Sequence, residues 1–176
     1  MKNIVLIGYM GSGKSSVAKA LSVKTGMKLL DTDQQIEKEE NRRISDIFAA
    51  DGEQAFRDME TALLKKMLND GFQGIISTGG GMPVRDENRP LLKQLGQVIY
   101  LKTGVDTLTM RLTGDGSRPL LQGETAESKR RKIEEMLTRR EPSYMEASDA
   151  VIPTDDVTTD ALADEILLYM SYADID

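Results

Sequence analysis

The chain has 176 residues, of which 39% are hydrophobic and 30% charged, as is typical of one globular domain in water. It contains neither cysteine nor histidine, which excludes disulfides, thiolate metal sites and histidine as a general base. The net charge of −6 argues against a general nucleic-acid-binding surface, because such a surface is basic.

The apolar segments are short. No segment approaches the roughly 20 apolar residues that span a bilayer, and the N-terminal run MKNIVLIG is too short for a signal peptide. We therefore expect a cytoplasmic protein that binds neither membranes nor nucleic acids, and we expect it to be a monomer.

Hydrophobic periodicity predicts strands and helices in alternation. The predicted strands cover residues 3–8, 28–32, 74–78, 97–102 and 150–153. The predicted helices cover residues 15–26, short stretches within 33–50, and then 52–69, 105–112, 126–140 and 158–170. Such alternation predicts one α/β domain over residues 1–176, with a five-stranded parallel sheet covered by helices on both faces. The Gly- and Pro-rich stretch 113–125 predicts a mobile loop.

The strongest motif is GYMGSGKSS, residues 8–16, which fits the phosphate-loop pattern G-x-x-x-x-G-K-[ST] between a strand and a helix. Glycines let successive backbone N–H groups point inward around a phosphate, and the helix adds the positive end of its dipole. Lys14 would neutralise the β- and γ-phosphates, and the Ser15 hydroxyl would bind Mg²⁺. The nucleotide-binding residues predicted in this loop are Gly11, Ser12, Gly13, Lys14, Ser15 and Ser16.

The phosphate loop alone leaves the phosphoryl acceptor open. The chain has no N-K-x-D motif for reading guanine, which argues against a GTPase. The third predicted strand, GIIST, leads straight into Gly79 and lacks the acid that usually attends the metal. Another carboxylate must therefore serve the metal, and an ATPase is harder to support than a kinase.

The segment LLDTDQQIEK, residues 29–38, carries two acids one position apart. If it is a strand, Asp31 and Asp33 point to the same face, because side chains alternate with period two. From the residues alone, the pair is either a site that holds a ligand or a solvated strand end or helix N-cap.

Six motifs together resemble those of shikimate kinases: GYMGSGKSS, LLDTD, DIFAADGEQAFRDME, STGGG, SRPLL and RREPSY, over about residues 3 to 145. The resemblance implies a three-layer P-loop kinase fold. It also implies transfer of the ATP γ-phosphate to the 3-hydroxyl of shikimate, with Mg²⁺, in aromatic amino acid (chorismate) biosynthesis.

The resemblance assigns roles to both acids. Asp31 would lie near the Mg²⁺ bound by Ser15, and Asp33 would bind shikimate hydroxyls and orient or deprotonate the attacking one. An ordinary carboxylate with a pKa near 4 is a poor base at neutral pH, so positioning is the favoured role of Asp33.

The resemblance also implies where the acceptor's carboxylate binds. Arg57 and Arg140 would grip it, with Arg140 preferred over its neighbour Arg139 because Arg140 stands two residues before the proline. Guanidinium groups bind carboxylates in a bidentate fork. Gly79, Gly80 and Gly81 would form a backbone wall against the substrate, and the substrate-binding segment would cover about residues 33–60.

Two further arginines match nucleotide contacts in the family. Arg118, in the loop 113–125, resembles a lid residue that reaches the ATP phosphates during catalysis, and Arg111 matches a position that stacks on adenine. Pro153 departs from the family pattern near the adenine-contacting loop.

The rival functions are another small-molecule kinase of this fold, such as a gluconate or nucleoside monophosphate kinase, and a non-catalytic nucleotide-binding regulator. The set of Asp33, Arg57, Arg140 and three glycines argues against the first group. Intact Lys14, Ser15 and Asp33 argue against a silent regulator.

Overall fold

The computed structural model describes residues 2–113 and 125–173. Within these ranges five strands form one parallel sheet in the spatial order β2-β3-β1-β4-β5. The strands are β1 (Ile4–Ile7), β2 (Leu29–Asp31), β3 (Ile75–Ser77), β4 (Gln97–Lys102) and β5 (Ala150–Pro153). This confirms the predicted α/β fold, and it brings the carboxyl ends of all five strands to one edge of the sheet.

Helices connect the strands and cover both faces of the sheet. They are α1 (Lys14–Thr25), α2 (Thr32–Glu40), α3 (Ile44–Asn69), α4 (Asn88–Leu95), α5 (Val105–Thr113), α6 (Ala126–Ala147) and α7 (Thr159–Ala173), with a short 3-10 helix at Met82–Val84. Among the described residues no helix is both long and apolar enough to cross a membrane.

The central strand β1 separates two apolar layers. Its residues Val5 and Ile7 pack into one core cluster, and Ile4 and Leu6 pack into the other. All four side chains are fully buried, which explains why the strand reads as a continuous apolar run. Each such side chain contributes roughly 1.5 to 3 kcal/mol by leaving water, so the sheet is a stable base for the loops at its edge.

Helix α3 bends sharply at Gly52, where φ is 84° and ψ is 168°. This left-handed φ suits glycine because it has no Cβ. Two helical stretches therefore meet at Gly52, as the separate predictions for 33–50 and 52–69 indicated. The second stretch carries Arg57, whose guanidinium lies beside Gly81, in the glycine run that follows β3.

The prediction missed one helix and ended another too early, in both cases at a proline. Helix α4 was not predicted, because Pro90 obscures it; a proline in the first turn is tolerated, since the N–H it lacks has no helical partner there. Helix α6 was predicted to end at Arg140 but continues through Pro142 to Ala147. Burial of Tyr144 and Ala147 against the sheet layer holds this extension in place.

Candidate active site

A cleft of about 560 Å³ lies at the carboxyl edge of the sheet. Ligands bind at this edge in open parallel α/β sheets. Its walls are the phosphate loop, the ends of β2 and β3, the end of α5 and the start of α7. The lining residues are Met10, Gly11, Ser12, Gly13, Lys14, Ser15, Ser16, Val17, Asp31, Asp33, Thr78, Gly79, Gly80, Arg111, Leu112, Val157, Thr159 and Leu162.

The phosphate loop is held in shape by its own backbone and by one lysine. Gly11 and Gly13 adopt left-handed φ values of 83° and 92°, which turn the loop around its centre. The ammonium of Lys14 is buried and donates to the carbonyls of Gly8 at 2.8 Å and Tyr9 at 2.9 Å. The loop is thus already curled around its lysine, at the N-terminus of α1.

Asp31 caps a helix and also faces the phosphate loop. Strand β2 ends at Asp31, and Asp33 belongs to the first turn of α2, so the expectation of two acids on one strand face is wrong. One Asp31 oxygen accepts from the N–H groups of Asp33 at 3.0 Å and Gln34 at 3.2 Å. The other accepts from the Ser15 hydroxyl at 3.3 Å. Asp31 is therefore both an N-cap and a neighbour of Ser15.

Asp33 is largely buried at the floor of the cleft. Its Oδ1 is buried and has no hydrogen-bond partner among the described residues. Burial, together with the charge of Asp31, raises the pKa of Asp33 from 3.8 to about 6. A buried acceptor without a partner is costly for the fold, and the Asp33 side chain that carries it lines the cleft.

Arg57 is held by two carboxylates on its own helix. Its Nη1 donates to the fully buried Glu60 at 2.7 Å, and its Nη2 donates to the exposed Glu53 at 3.0 Å. Burial raises the pKa of Glu60 despite the opposing charge of Arg57. Its Oε1 has no hydrogen-bond partner among the described residues. Glu60 thus fixes the guanidinium from inside the protein, while Glu53 occupies its solvent side.

The glycine run makes room for these charged side chains. A Cβ added at Gly79 would lie 2.6 Å from Asp33 Oδ1 and 3.0 Å from Glu60 Oε1. At Gly81 it would lie 2.6 Å from Arg57 Cζ. The N–H of Gly79 is already bonded to the Thr32 hydroxyl at 3.0 Å. The missing side chains therefore let the acid and the arginine approach the sheet edge.

Arg140 approaches the glycine run from α6. Its Nη1 would lie 3.8 Å from a Cβ at Gly80, and its Cζ is 5.9 Å from the Tyr9 ring centroid. The neighbouring Arg139 is exposed. The structure thus brings Asp33, Arg57, the glycine run and Arg140 to one side of the phosphate loop.

Of the two arginines predicted to contact the nucleotide, the structure describes Arg111 but not Arg118. Arg111 donates from Nη1 to the carbonyl of Gly11 at 3.0 Å, on the rim of the cleft. Arg118 and nearly all of the predicted lid lie outside the described residues, so the role expected for Arg118 stays a prediction.

Comparisons with known sequences and structures identify the family of this chain. A family model described as shikimate kinase matches residues 10–171. The chain belongs to the shikimate kinase family. A shikimate kinase of Persephonella marina is 41% identical over 167 residues, covering 95% of this chain and 98% of the relative.

Solved shikimate kinases have the same fold. One from Acinetobacter baumannii, in complex with shikimate, is 36% identical, covers 100% of this chain and 96% of its own, and superposes with a TM-score of 0.87. One from Bacteroides thetaiotaomicron is 27% identical, covers 97% and 98%, and has a TM-score of 0.89. The chain is thus an ATP-dependent small-molecule kinase of the shikimate kinase family, which confirms the predicted family and enzyme class.

Sequence reasoning missed several residues at the kinase cleft. Glu60 could have been found, since it lies three positions after Arg57 on a helix and such pairs are neighbours. Tyr144 was quoted in RREPSY but given no role. Val157 and Leu162 line the cleft from the start of α7, and no short motif marks them.

Proposed function

We propose that this chain binds ATP at the phosphate loop and shikimate beside Asp33, and transfers the γ-phosphate to the 3-hydroxyl to give shikimate 3-phosphate and ADP. The observation that carries this proposal is the juxtaposition of a phosphate loop with a buried carboxylate and two arginines at one edge of the sheet. We further propose that the enzyme works as a cytoplasmic monomer, as a single domain over residues 1–176.

On the donor side, the backbone amides of residues 11–16 bind the phosphates, and Lys14 neutralises negative charge on the transferred phosphoryl group. When ATP binds, the Lys14 ammonium replaces its hydrogen bonds to the Gly8 and Tyr9 carbonyls with hydrogen bonds to phosphate oxygens. Its flexible side chain permits this movement. Arg111, on the rim of the same cleft, lies against the adenine.

The residues present fit Mg²⁺. Ser15 and Asp31 offer two oxygen donors that already lie 3.3 Å apart, and Mg²⁺ is usually held by one or two such groups together with waters and substrate phosphates. Ser15 and Asp31 would hold the ion. When bound, it neutralises charge on the phosphates.

On the acceptor side, the shikimate carboxylate lies between Arg57 and Arg140, and the ring rests on Gly79, Gly80 and Gly81. This orientation turns the hydroxyls toward Asp33. The Asp33 carboxylate, which lines the cleft, accepts a hydrogen bond from one of these hydroxyls. A fixed orientation of the two reactants removes much of the entropic barrier to transfer.

Asp33 also takes the proton of the attacking hydroxyl. An ordinary carboxylate is too acidic to be an effective base at neutral pH. The raised pKa of Asp33, about 6, removes this argument against its role as a base. We therefore assign Asp33 both orientation and proton acceptance, with the pH dependence given in the Discussion as the check.

A coupled assay of ADP release tests the function against its rivals. Shikimate, quinate, gluconate and AMP are offered as competing acceptors with ATP and Mg²⁺. We expect turnover with shikimate far above that with the other three acceptors. Turnover of AMP or gluconate without turnover of shikimate would overturn the proposal, and ATP binding without any turnover would indicate a regulator.

A further inference from the structure

A buried tyrosine connects helix α6 to the glycine run. Tyr144 is fully buried, and its ring packs on Tyr100 with ring centroids 5.1 Å apart. Its hydroxyl donates to the carbonyl of Gly80 at 2.7 Å, a contact between residues 64 positions apart. A phenylalanine would satisfy the packing equally well, so the tyrosine hydroxyl indicates a role in hydrogen bonding.

The same hydroxyl lies beside Arg140, one helical turn earlier. Residues four apart on a helix share a face, and the Arg140 guanidinium approaches Gly80 from that face. Burial raises the pKa of Tyr144 to about 12, while the charge of Arg140 and a hydrogen bond from it act in the opposite direction. The hydroxyl thus lies between a glycine-run carbonyl and an acceptor-site arginine.

A second contact ties α6 to the segment that follows the glycine run. Arg89 pairs with Glu146 at 3.1 Å and donates to the carbonyl of Pro83 at 3.1 Å. This anchor lies away from the cleft, whereas Tyr144 reaches the residue that lines it. Of these two contacts of α6, only the one made by Tyr144 reaches the acceptor side.

We propose that Tyr144 is a positioning residue for the phosphoryl acceptor, whose hydroxyl sets the spacing between the Gly80 backbone and the Arg140 guanidinium. This inference rests on the proposed function, in which those two groups hold shikimate. Without the hydroxyl, the Gly80 carbonyl loses its partner and Arg140 loses a neighbour. A displacement on the order of 1 Å is enough to weaken binding of a small ligand.

The test compares Tyr144→Phe with Tyr100→Phe. The control removes a hydroxyl from the other ring of the same buried pair and leaves the bond to Gly80 in place. We expect Tyr144→Phe to raise KM for shikimate by about tenfold, with KM for ATP and kcat nearly unchanged. Tyr100→Phe should leave all three constants nearly unchanged. Equal values of KM for shikimate in both variants would overturn the proposal.

A double-mutant cycle with Arg140→Ala separates this proposal from the proposed function. Arg140→Ala should itself raise KM for shikimate, and adding Tyr144→Phe to it should have less than half its effect in the wild type, because the two act through one contact. If Arg140→Ala raises KM but Tyr144→Phe does not, the positioning role is wrong and the acceptor site stands. If Arg140→Ala leaves KM unchanged, the acceptor site itself is wrong and the positioning role falls with it.

A measurement on the unmodified chain covers the case in which Tyr144→Phe does not fold. Labelling the tyrosines with ¹³Cζ gives one ring signal for each of the five, and phenylalanine variants of the other four identify Tyr144 by elimination. Shikimate should shift the Tyr144 signal by changing its hydrogen bonding. An unchanged Tyr144 signal at saturating shikimate would overturn the proposal.

Discussion

The donor and acceptor halves of the cleft are built in different ways. The phosphate-binding part of the donor half comes from one contiguous stretch, residues 8–16, whose shape is fixed by its own backbone and by Lys14, with Asp31 and Arg111 beside it. The acceptor half is assembled from four segments that are far apart in the chain: the start of α2, the middle of α3, the glycine run and α6. Its shape therefore depends on tertiary packing.

The halves also differ in how their polar groups are satisfied. The Lys14 ammonium already has carbonyl partners, whereas buried oxygens of Asp33 and Glu60 have no hydrogen-bond partner among the described residues. Such groups reduce the stability of the fold. Damage to the donor half should therefore reduce the rate of transfer. Changes in the acceptor half should alter acceptor binding, pH dependence and stability.

The largest effect is expected from the donor half. Lys14→Met removes the cation that stabilises negative charge on the transferred phosphoryl group, and kcat should fall on the order of 10³-fold. Shikimate binding, measured by calorimetry without nucleotide, should stay within about twofold of the wild type, because Lys14 is not an acceptor contact. Loss of shikimate binding in this variant would show that the two halves are not separable.

The next effect concerns Asp33. Asp33→Asn should lower kcat by about 10²-fold or more if the carboxylate accepts the proton. In the wild type, kcat/KM should fall as the pH drops through about 6, because Asp33 becomes protonated. A pH–rate profile checks this acidic limb, which should be absent from the variant. A loss of only a few-fold would eliminate Asp33 as a base and leave it as a positioner.

The same substitution should make the fold more stable. The pKa of Asp33 is raised by burial from 3.8 to about 6, so the folded chain binds this proton more tightly than the unfolded chain does. Ionised Asp33 therefore destabilises the fold above about pH 6, and the cost disappears as the pH falls below about 4. Asp33→Asn should raise the free energy of unfolding by about 1 to 3 kcal/mol at pH 8 and leave it unchanged at pH 3.5. Equal gains at both pH values would contradict the buried-carboxylate account.

The sequence alone predicted the donor half better than the acceptor half, for the same structural reason. The phosphate loop is local, so the spacing of Gly13, Lys14 and Ser15 determines its geometry. The roles of Arg57 and Arg140 came from a resemblance to a family, because taken singly they look like arginines on charged helices. The strand-face interpretation of Asp31 and Asp33 was wrong, because capping of α2 by Asp31 ends the strand there.

The errors in the fold have a related cause. In a local pattern, proline argues against a helix. Pro90, however, lies in the first turn of α4, where no helical hydrogen bond is lost, and the helix around Pro142 is stabilised by the burial of its neighbours. Glu60 is fully buried although a local pattern places a glutamate at the surface. Its burial depends on pairing with Arg57, one helical turn away, and on the space left at Gly79, a contact between distant parts of the chain that a local pattern does not show.

A moderate effect is expected from Gly81→Ala. The added Cβ would collide with the Arg57 guanidinium, which must then move away from the position in which Glu60 and Glu53 hold it. We expect KM for shikimate to rise about tenfold while KM for ATP stays unchanged. Thermal unfolding should shift to lower temperature, because a displaced guanidinium weakens its 2.7 Å pair with the fully buried Glu60. An unchanged KM for shikimate would show that Arg57 does not bind the acceptor from this position.

The smallest effect concerns the carboxylate on the outer side of Arg57. A substrate carboxylate must displace Glu53 before it can pair with Nη2 of Arg57. Glu53→Gln should therefore lower KM for shikimate by about twofold. Asp58→Asn is the matched control, since it removes one negative charge from the same helix but pairs with Arg85 at 2.7 Å. An equal decrease in both variants would indicate a general charge effect and not competition for Arg57.

The most direct measurement is a crystal structure of the chain with shikimate and ADP. The account predicts the carboxylate between Arg57 and Arg140, a ring hydroxyl on Asp33, and the ADP phosphates in the loop 8–16. Shikimate bound elsewhere, or bound with its carboxylate against Asp33 and its hydroxyls against the arginines, would contradict it.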